Sequence, residues 1–248
     1  VVFWLRGTDE EGGRGSMLAA ALLITLSALT KYFGISLLAL LAAYSLASRH
    51  ELKRWLPWLL IPVIALASYQ LLTASMYGRG LLLDATIYAS GVRKLIGFSA
   101  IGNLYTGLVF VGGTLFSVML VSNGLWKRRT MGIFAAFIVV SMVVLHLFGG
   151  LGKADFTVSG GTNWLLVFEL SVFAVAGLYL MALTLGELRR SDGGASVLLF
   201  CWVMGTVFFA VFFNWSINGR TLLPAAPAAA ILLWRALDRS GVSPAKSY

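Results

Sequence analysis

The chain places a few polar and charged side chains inside otherwise apolar sequence, and their types suggest anion binding and proton exchange. Lys31 lies in SALTKYFGIS, residues 27–36, between two apolar runs and with no other charge for ten or more residues on either side. Arg220 closes the polar stretch NWSINGR, residues 214–220, and is followed by Pro224 and Pro227. Arg79, Asp84, Arg93 and Lys94 share the segment GRGLLLDATIYASGVRKLIGFS, residues 78–99, with Leu81, Leu82, Leu83, Ile87 and Tyr88. His146 and Glu169 are ionisable groups within apolar runs. Fixed ammonium and guanidinium groups in a low-dielectric setting suit phosphate and other anions, and a carboxylate beside an imidazole suits proton exchange. No Walker loop, no dinucleotide fingerprint after a strand, no HExxH and no GxSxG occurs, and the two His and one Cys are too few for a metal cluster. The residues themselves require no cofactor and leave a divalent metal open.

The elements that must position these groups are membrane helices. A soluble domain is about 45–50% apolar and about 25% charged, whereas this chain is 59% hydrophobic and 12% charged, with a mean hydropathy of +0.87. Its sixteen Phe, eight Trp and eight Tyr fit a bilayer protein. The net charge of +9 sits in short clusters between apolar runs, a pattern of membrane topology and not of nucleic-acid binding. Cys201 has no second cysteine to pair with.

Apolar runs cover residues 16–30, 32–48, 55–77, 100–123, 131–150, 163–186, 195–215 and 221–236. The expectation is an all-α, polytopic transmembrane bundle of about eight spans in a single domain. Residues 1–15 would be the end of an earlier span plus a cytoplasmic loop, and 237–248 a cytoplasmic tail. The opening VVFWL, with no Met, is expected to be the tail of a span that begins further upstream.

Length decides how Lys31 is accommodated. One straight helix over residues 16–48 would be about 50 Å long at 1.5 Å per residue, and it would bury Lys31 near mid-bilayer at a cost of about 2.5–3.5 kcal/mol. Two short helices joined at KYFG avoid both problems. Charge agrees: the hairpin puts thirteen Lys and Arg on one side and six on the other, whereas a single span leaves eleven against seven. The positive-inside rule therefore places both chain ends in the cytoplasm and the longer connections outside. A first arm of fifteen residues reaches only about 22 Å, so Lys31 is held low. Its ammonium either points into a pocket that opens outward or snorkels to the headgroups.

The remaining groups are read in the same terms. Asn214, Ser216, Asn218, Gly219 and Arg220 form an outward turn before a helix that opens with prolines. It is either a phosphate site at a helix N-terminus or a plain turn with a snorkelling arginine. His146 and Glu169 have expected depths of roughly 6 and 10 Å below the outer surface, close enough to meet as a coupling pair, a proton relay or interhelical glue. The segment 78–99 is expected to lie along the interface as an amphipathic helix.

LSALTKYFGISLL, then WLLIPVIALASYQLLTASMYGRG, then FFNWSINGRTLLPAAPAAAILL together resemble the membrane part of bacterial glycosyltransferases of the GT-C type, from about residue 17 to 236. The likeness is to a family 39-like group similar to dolichyl-phosphate-mannose protein mannosyltransferases and undecaprenyl-phosphate aminoarabinose transferases. The resemblance implies inverting transfer of a sugar from a polyprenyl-phosphate carrier to a lipid or protein acceptor on the outer face of a bacterial inner membrane. It implies lipid-phosphate contacts for Lys31 and Arg220, and more loosely for Arg79, with Tyr32, Asp84, His146 and Glu169 as cavity-lining candidates. The family's catalytic carboxylate would fall upstream of Val1. Thr221 stands where family members often have Tyr. The competing expectation is a multi-pass transporter or lipid flippase that uses the His146 and Glu169 pair.

Overall fold

A computed structural model describes residues 1–9, 13–96, 100–148, 157–158, 161–190, 193–214 and 216–241. Among the described residues the chain is all-α apart from one hairpin of two two-residue strands. It forms two compact units, Val1–Val92 with Ser191–Cys201 and Arg93–Arg190 with Trp202–Tyr248.

The first unit begins with a short helix, α1 (Val2–Thr8), and α2 (Arg14–Thr30). Helix α2 stops where the length argument requires. Lys31 takes an extended conformation (φ −148°, ψ 122°), a 3-10 turn follows over Tyr32–Ile35, and α3 runs over Ser36–Ala47. Gly34 permits this reversal: a Cβ there would lie 2.6 Å from the Ala28 nitrogen and 2.7 Å from the Ser27 carbonyl oxygen. The chain then returns toward its start. Trp4 on α1 is fully buried, and its indole N–H donates to the Ser45 hydroxyl near the end of α3 at 3.0 Å. Gly7 leaves room for the Met17 side chain, which fastens α1 to the first turns of α2.

Helix α4 (Leu52–Tyr77) is 26 residues long and ends at Gly78, whose left-handed φ of 70° suits glycine. Helix α5 (Leu81–Ile96) follows, with Leu83, Ile87 and Tyr88 exposed. The segment is thus helical, as expected. The side chains of Arg93 and Lys94 lie outside the described residues.

The second unit contains α6 (Ala100–Thr114), α7 (Phe116–Val121), a 3-10 turn (Ser122–Leu125), α8 (Arg128–Phe148) and α9 (Trp164–Arg190). A β-hairpin pairs Thr157–Val158 with Gly161–Thr162 ahead of α9. Helix α10 (Gly194–Phe208), shared between the units, ends in a π-helical turn, Phe209–Phe213. The last elements are α11 (Gly219–Leu222), a 3-10 turn (Leu223–Ala225) and α12 (Ala226–Ser240). The apolar run 100–123 is one expected span but two helices, broken at Leu115 (φ −114°, ψ 27°). The run 221–236 opens with short turns because Pro224 and Pro227 cannot donate amide bonds.

Packing in this unit centres on α6 against α9. A Cβ on Gly112 would strike the Phe173 carbonyl, and one on Gly177 would strike the Leu108 carbonyl, so the two backbones touch. One apolar cluster joins Leu145 and Val167 with Tyr105, Met142, Leu166 and Leu170. A second joins Met119, Val175 and Ala176 with Phe116, Trp126, Phe134, Ile138 and Tyr179. Early α6 therefore meets early α9, α7 meets its middle, and α8 runs the opposite way. Near the end of α9 the carboxylate of Glu187, only 4% exposed, pairs with Arg235 at 2.7 Å and with Arg239 on α12.

Among the described residues, four helices are long and apolar enough to cross a bilayer: Leu52–Tyr77, Arg128–Leu147, Trp164–Arg190 and Gly194–Phe213. Arg14–Thr30 and Tyr32–Ala47 are shorter apolar segments. Many leucines, valines and phenylalanines remain exposed along these helices, including Ile64, Leu71, Val139 and Leu165. An outward apolar surface of this kind belongs against lipid.

The glycine contacts make a paired test. Gly112→Ala should destabilise the second unit by roughly 1–3 kcal/mol through overpacking, measured by denaturant unfolding in detergent. Gly113→Ala should be tolerated, because its Cβ would meet only the Phe173 ring at 3.4–3.6 Å.

Candidate functional site

In the first unit, the polar groups of the Lys31 reversal, late α4 and early α5 gather together. The backbone of the reversal is satisfied internally: Lys31 N–H donates to Ser27 O at 3.0 Å, and Gly34 N–H donates to Lys31 O at 2.7 Å. The Tyr32 hydroxyl shares a hydrogen bond with Tyr69 and feels the charge of Asp84. From α4, the Gln70 amide oxygen accepts from Leu82 N–H at 3.0 Å and the Thr73 hydroxyl accepts from Leu81 N–H at 3.2 Å. These two side chains cap the start of α5. Asp84 sits in the first turn of α5, where the helix dipole favours a carboxylate, and it pairs with Arg79 at 3.2 Å.

Lys31 and Tyr32 are both exposed, and among the described residues no carboxylate pairs with Lys31. Its ammonium is thus available to an outside anion. Arg79 is also exposed, but the Asp84 carboxylate takes up part of its charge. The expected cation pair at this end is one open lysine and one arginine already in a surface ion pair, an arrangement that leaves guanidinium donors to spare.

In the second unit, the polar turn is built around Asn218. Its side-chain oxygen accepts from Thr221 N–H at 3.1 Å, and its amide group donates to the Ser216 hydroxyl at 3.1 Å. Asn214 donates to Ser216 O at 2.5 Å. The N-terminus expected to receive phosphate is therefore already capped by the chain's own Asn218, and α11 is only four residues long. This corrects the helix-terminus expectation and leaves the guanidinium of Arg220, which is exposed, as the anion-binding group here. The indole N–H of Trp202 donates to Pro224 O at 2.8 Å and fixes the start of the last helix.

The level of this turn is the informative feature. A Cβ on Gly219 would lie 2.9 Å from the Thr114 hydroxyl. Thr114 is the last residue of α6, about 20 Å along that helix from Ala100. Early α6 shares its level with the end of α8 and the start of α9, as the cluster of Tyr105, Leu145 and Val167 indicates. Gly219 is thus level with the end of α6, while Val211 just ahead of the turn meets Gly107, about 10 Å nearer Ala100.

His146 and Glu169 do not form the expected pair. The His146 Nδ1 lies 3.1 Å from the Thr162 hydroxyl, and its ring lies against Trp164 at 4.9 Å between centroids. Glu169 is exposed and has no ion pair among the described residues. The cause is direction around the helix. Leu166, Val167 and Leu170 face α8, while Glu169 is turned about 100° from the middle of that face at 3.6 residues per turn.

Comparison with known proteins leaves the assignment to the residues: no protein family, no characterised protein and no solved structure matches the chain. Among the described residues, no three His, Cys, Asp or Glu side chains gather as a metal site. Sequence reasoning missed Tyr69, Gln70 and Thr73. Their spacing on α4 places them within one helical turn, and a polar group inside an apolar 26-residue helix was the available signal.

Gln70→Ala should uncap α5 and cost about 1 kcal/mol, with faster hydrogen exchange at the amides of Leu82 and Leu83. Unchanged exchange there would refute the cap.

Proposed function

We propose that the chain is the donor-binding part of a GT-C-like integral membrane glycosyltransferase with about eight spans in a bacterial inner membrane. It would move a sugar from a polyprenyl-phosphate carrier to a lipid or protein acceptor on the outer face. The observation that carries the proposal is the level at which the polar turn ends: Gly219, next to Arg220, meets Thr114 about 20 Å along α6. Non-helical backbone at membrane depth persists only where protein covers it or water reaches it. A submerged, hydrated arginine suits a ligand whose phosphate is tethered to the hydrocarbon.

The residues supply electrostatics, not proton transfer. As the glycosidic C–O bond to the carrier breaks, the departing polyprenyl phosphate gains negative charge. A fixed cation stabilises that state more than the bound donor. The resemblance gives Lys31 and Arg220 each a phosphate contact, and Arg79 a weaker one because Asp84 already engages it. A transporter driven by His146 and Glu169 has less support, since His146 bonds Thr162 and lies against Trp164.

In the full-length protein, Lys31→Ala should lower turnover of polyprenyl-phosphate sugar at least tenfold, equivalent to about 1.4 kcal/mol of transition-state stabilisation. Membrane insertion and thermal unfolding should be unchanged. Arg220→Ala should behave likewise, and Arg220→Lys should recover part of the rate because it keeps charge but loses the planar fork. Near-normal turnover by properly inserted variants would overturn the assignment.

A further inference from the structure

The polar cluster at the start of α5 contains a group that a phosphate site does not need. Asp84 pairs with Arg79 at 3.2 Å, and its charge reaches the hydroxyl of Tyr32, the residue after Lys31. A carboxylate repels phosphate and weakens the pull of neighbouring cations on it. Asp84 is not needed as a helix cap either, because Gln70 and Thr73 already accept from the amides of Leu81, Leu82 and Leu83. Nor does the ion pair exhaust it. Arg79 meets one oxygen, Oδ2, the side chain stays 41% exposed, and a carboxylate accepts at about four lone-pair positions. Tyr32, close enough to feel that charge, has an exposed ring and a hydroxyl bonded to Tyr69. Carboxylate acceptors, phenols that both donate and accept, and an aromatic face together suit a ligand rich in hydroxyl groups.

The level of the cluster identifies the kind of ligand. From Leu52 to Tyr69, helix α4 rises about 26 Å, against roughly 30 Å of hydrocarbon in a bilayer. With Lys53 and Arg54 in one headgroup layer, Tyr69 and its partners stand at the edge of the other. We infer that Asp84 and Tyr32 bind the hydroxyl groups of a membrane lipid whose phosphate is esterified to a polyol, with the phosphate directed to the Lys31 end of the cluster. The chemistry recognised is a phosphodiester that carries neighbouring hydroxyls. A polyprenyl-phosphate sugar has it, and so does a phospholipid with a glycerol headgroup. The phosphate contact of Lys31 rests on the proposed transferase function, whereas the hydroxyl contact of Asp84 does not.

The test is native mass spectrometry on the delipidated full-length protein in detergent, titrated with lipid pairs of equal charge that differ in hydroxyl groups. One pair is undecaprenyl-phosphate mannose or glucose against undecaprenyl methyl phosphate. The other is phosphatidylglycerol against phosphatidylpropanol. The hydroxyl-bearing member of at least one pair should be held about tenfold more tightly. Asp84→Ala should abolish that preference and, by removing a repulsive charge, should hold the hydroxyl-free lipid no less tightly than the wild type does. Asp84→Asn, which keeps the shape and one acceptor, should fall between the two. Thermal unfolding should be unchanged in both. Arg79→Gln should weaken both members of a pair and keep the preference. Equal weakening of both members by Asp84→Ala would reduce Asp84 to a structural role and overturn the inference, as would loss of the preference in Arg79→Gln. A preference in the glycerol pair alone would keep the hydroxyl site and count against the transferase. A preference in neither pair would overturn the hydroxyl site, while undecaprenyl methyl phosphate binding that needs Lys31 would leave the transferase standing.

Discussion

Amide and carbonyl groups that enter hydrocarbon have no water to bond, so each must find a partner within the protein. Most of this chain meets the requirement with helix. The places where helix stops are therefore the places where other groups must intervene. At the Lys31 reversal, Ser27 and Lys31 carbonyls take up the loose amides, and the Ser36 hydroxyl donates to Phe33 O at 2.7 Å. At the start of α5, Gln70 and Thr73 supply acceptors from a neighbouring helix. In the turn after α10, Asn214, Ser216 and Asn218 bond to one another and to the backbone. These side chains close hydrogen-bond vacancies first, and their presence near charged residues follows from that duty.

Close approach is the second organising fact. Without a water-driven force between helices, membrane bundles gain cohesion from contact, and small residues bring backbones together. Gly112 and Gly177 do this for α6 and α9, and Gly34 does it for the reversal on α2. Larger side chains then fill the flanks, as in the edge-to-face group of Trp126, Phe134 and Tyr179, whose ring centroids lie 5.5–6.3 Å apart. The Glu187 carboxylate completes the assembly by holding two arginines of α12.

The helices were legible in the sequence because apolar run length and bilayer thickness are directly related. The break at KYFG was legible for the same reason, since an unbroken helix would have been too long and would have buried Lys31. Direction around a helix was harder to read. Depth along the chain placed His146 and Glu169 at similar levels, yet their azimuths depend on which face of α9 packs against α8, and that is decided by Leu166, Val167 and Leu170. The cap at α5 was invisible for a related reason: Gln70 is twelve residues from the amide it serves. The Asn218 cap is local, and Asn ahead of a helix start is a readable signal, though the same pattern of residues also suits an anion at free amides.

The π-helical turn Phe209–Phe213 carries a consequence for the polar segment after it. The Asn214 amide bonds to Phe209 O at 2.9 Å, five residues back and not four. Such a turn holds one residue more than an α-helix would over the same rise, and so it acts as a phase shifter. Were that residue lost, everything from Asn214 onward would enter its loop rotated by about 100°. The bearing of Arg220 is thus encoded in a run of phenylalanines that contains no polar atom beyond its backbone.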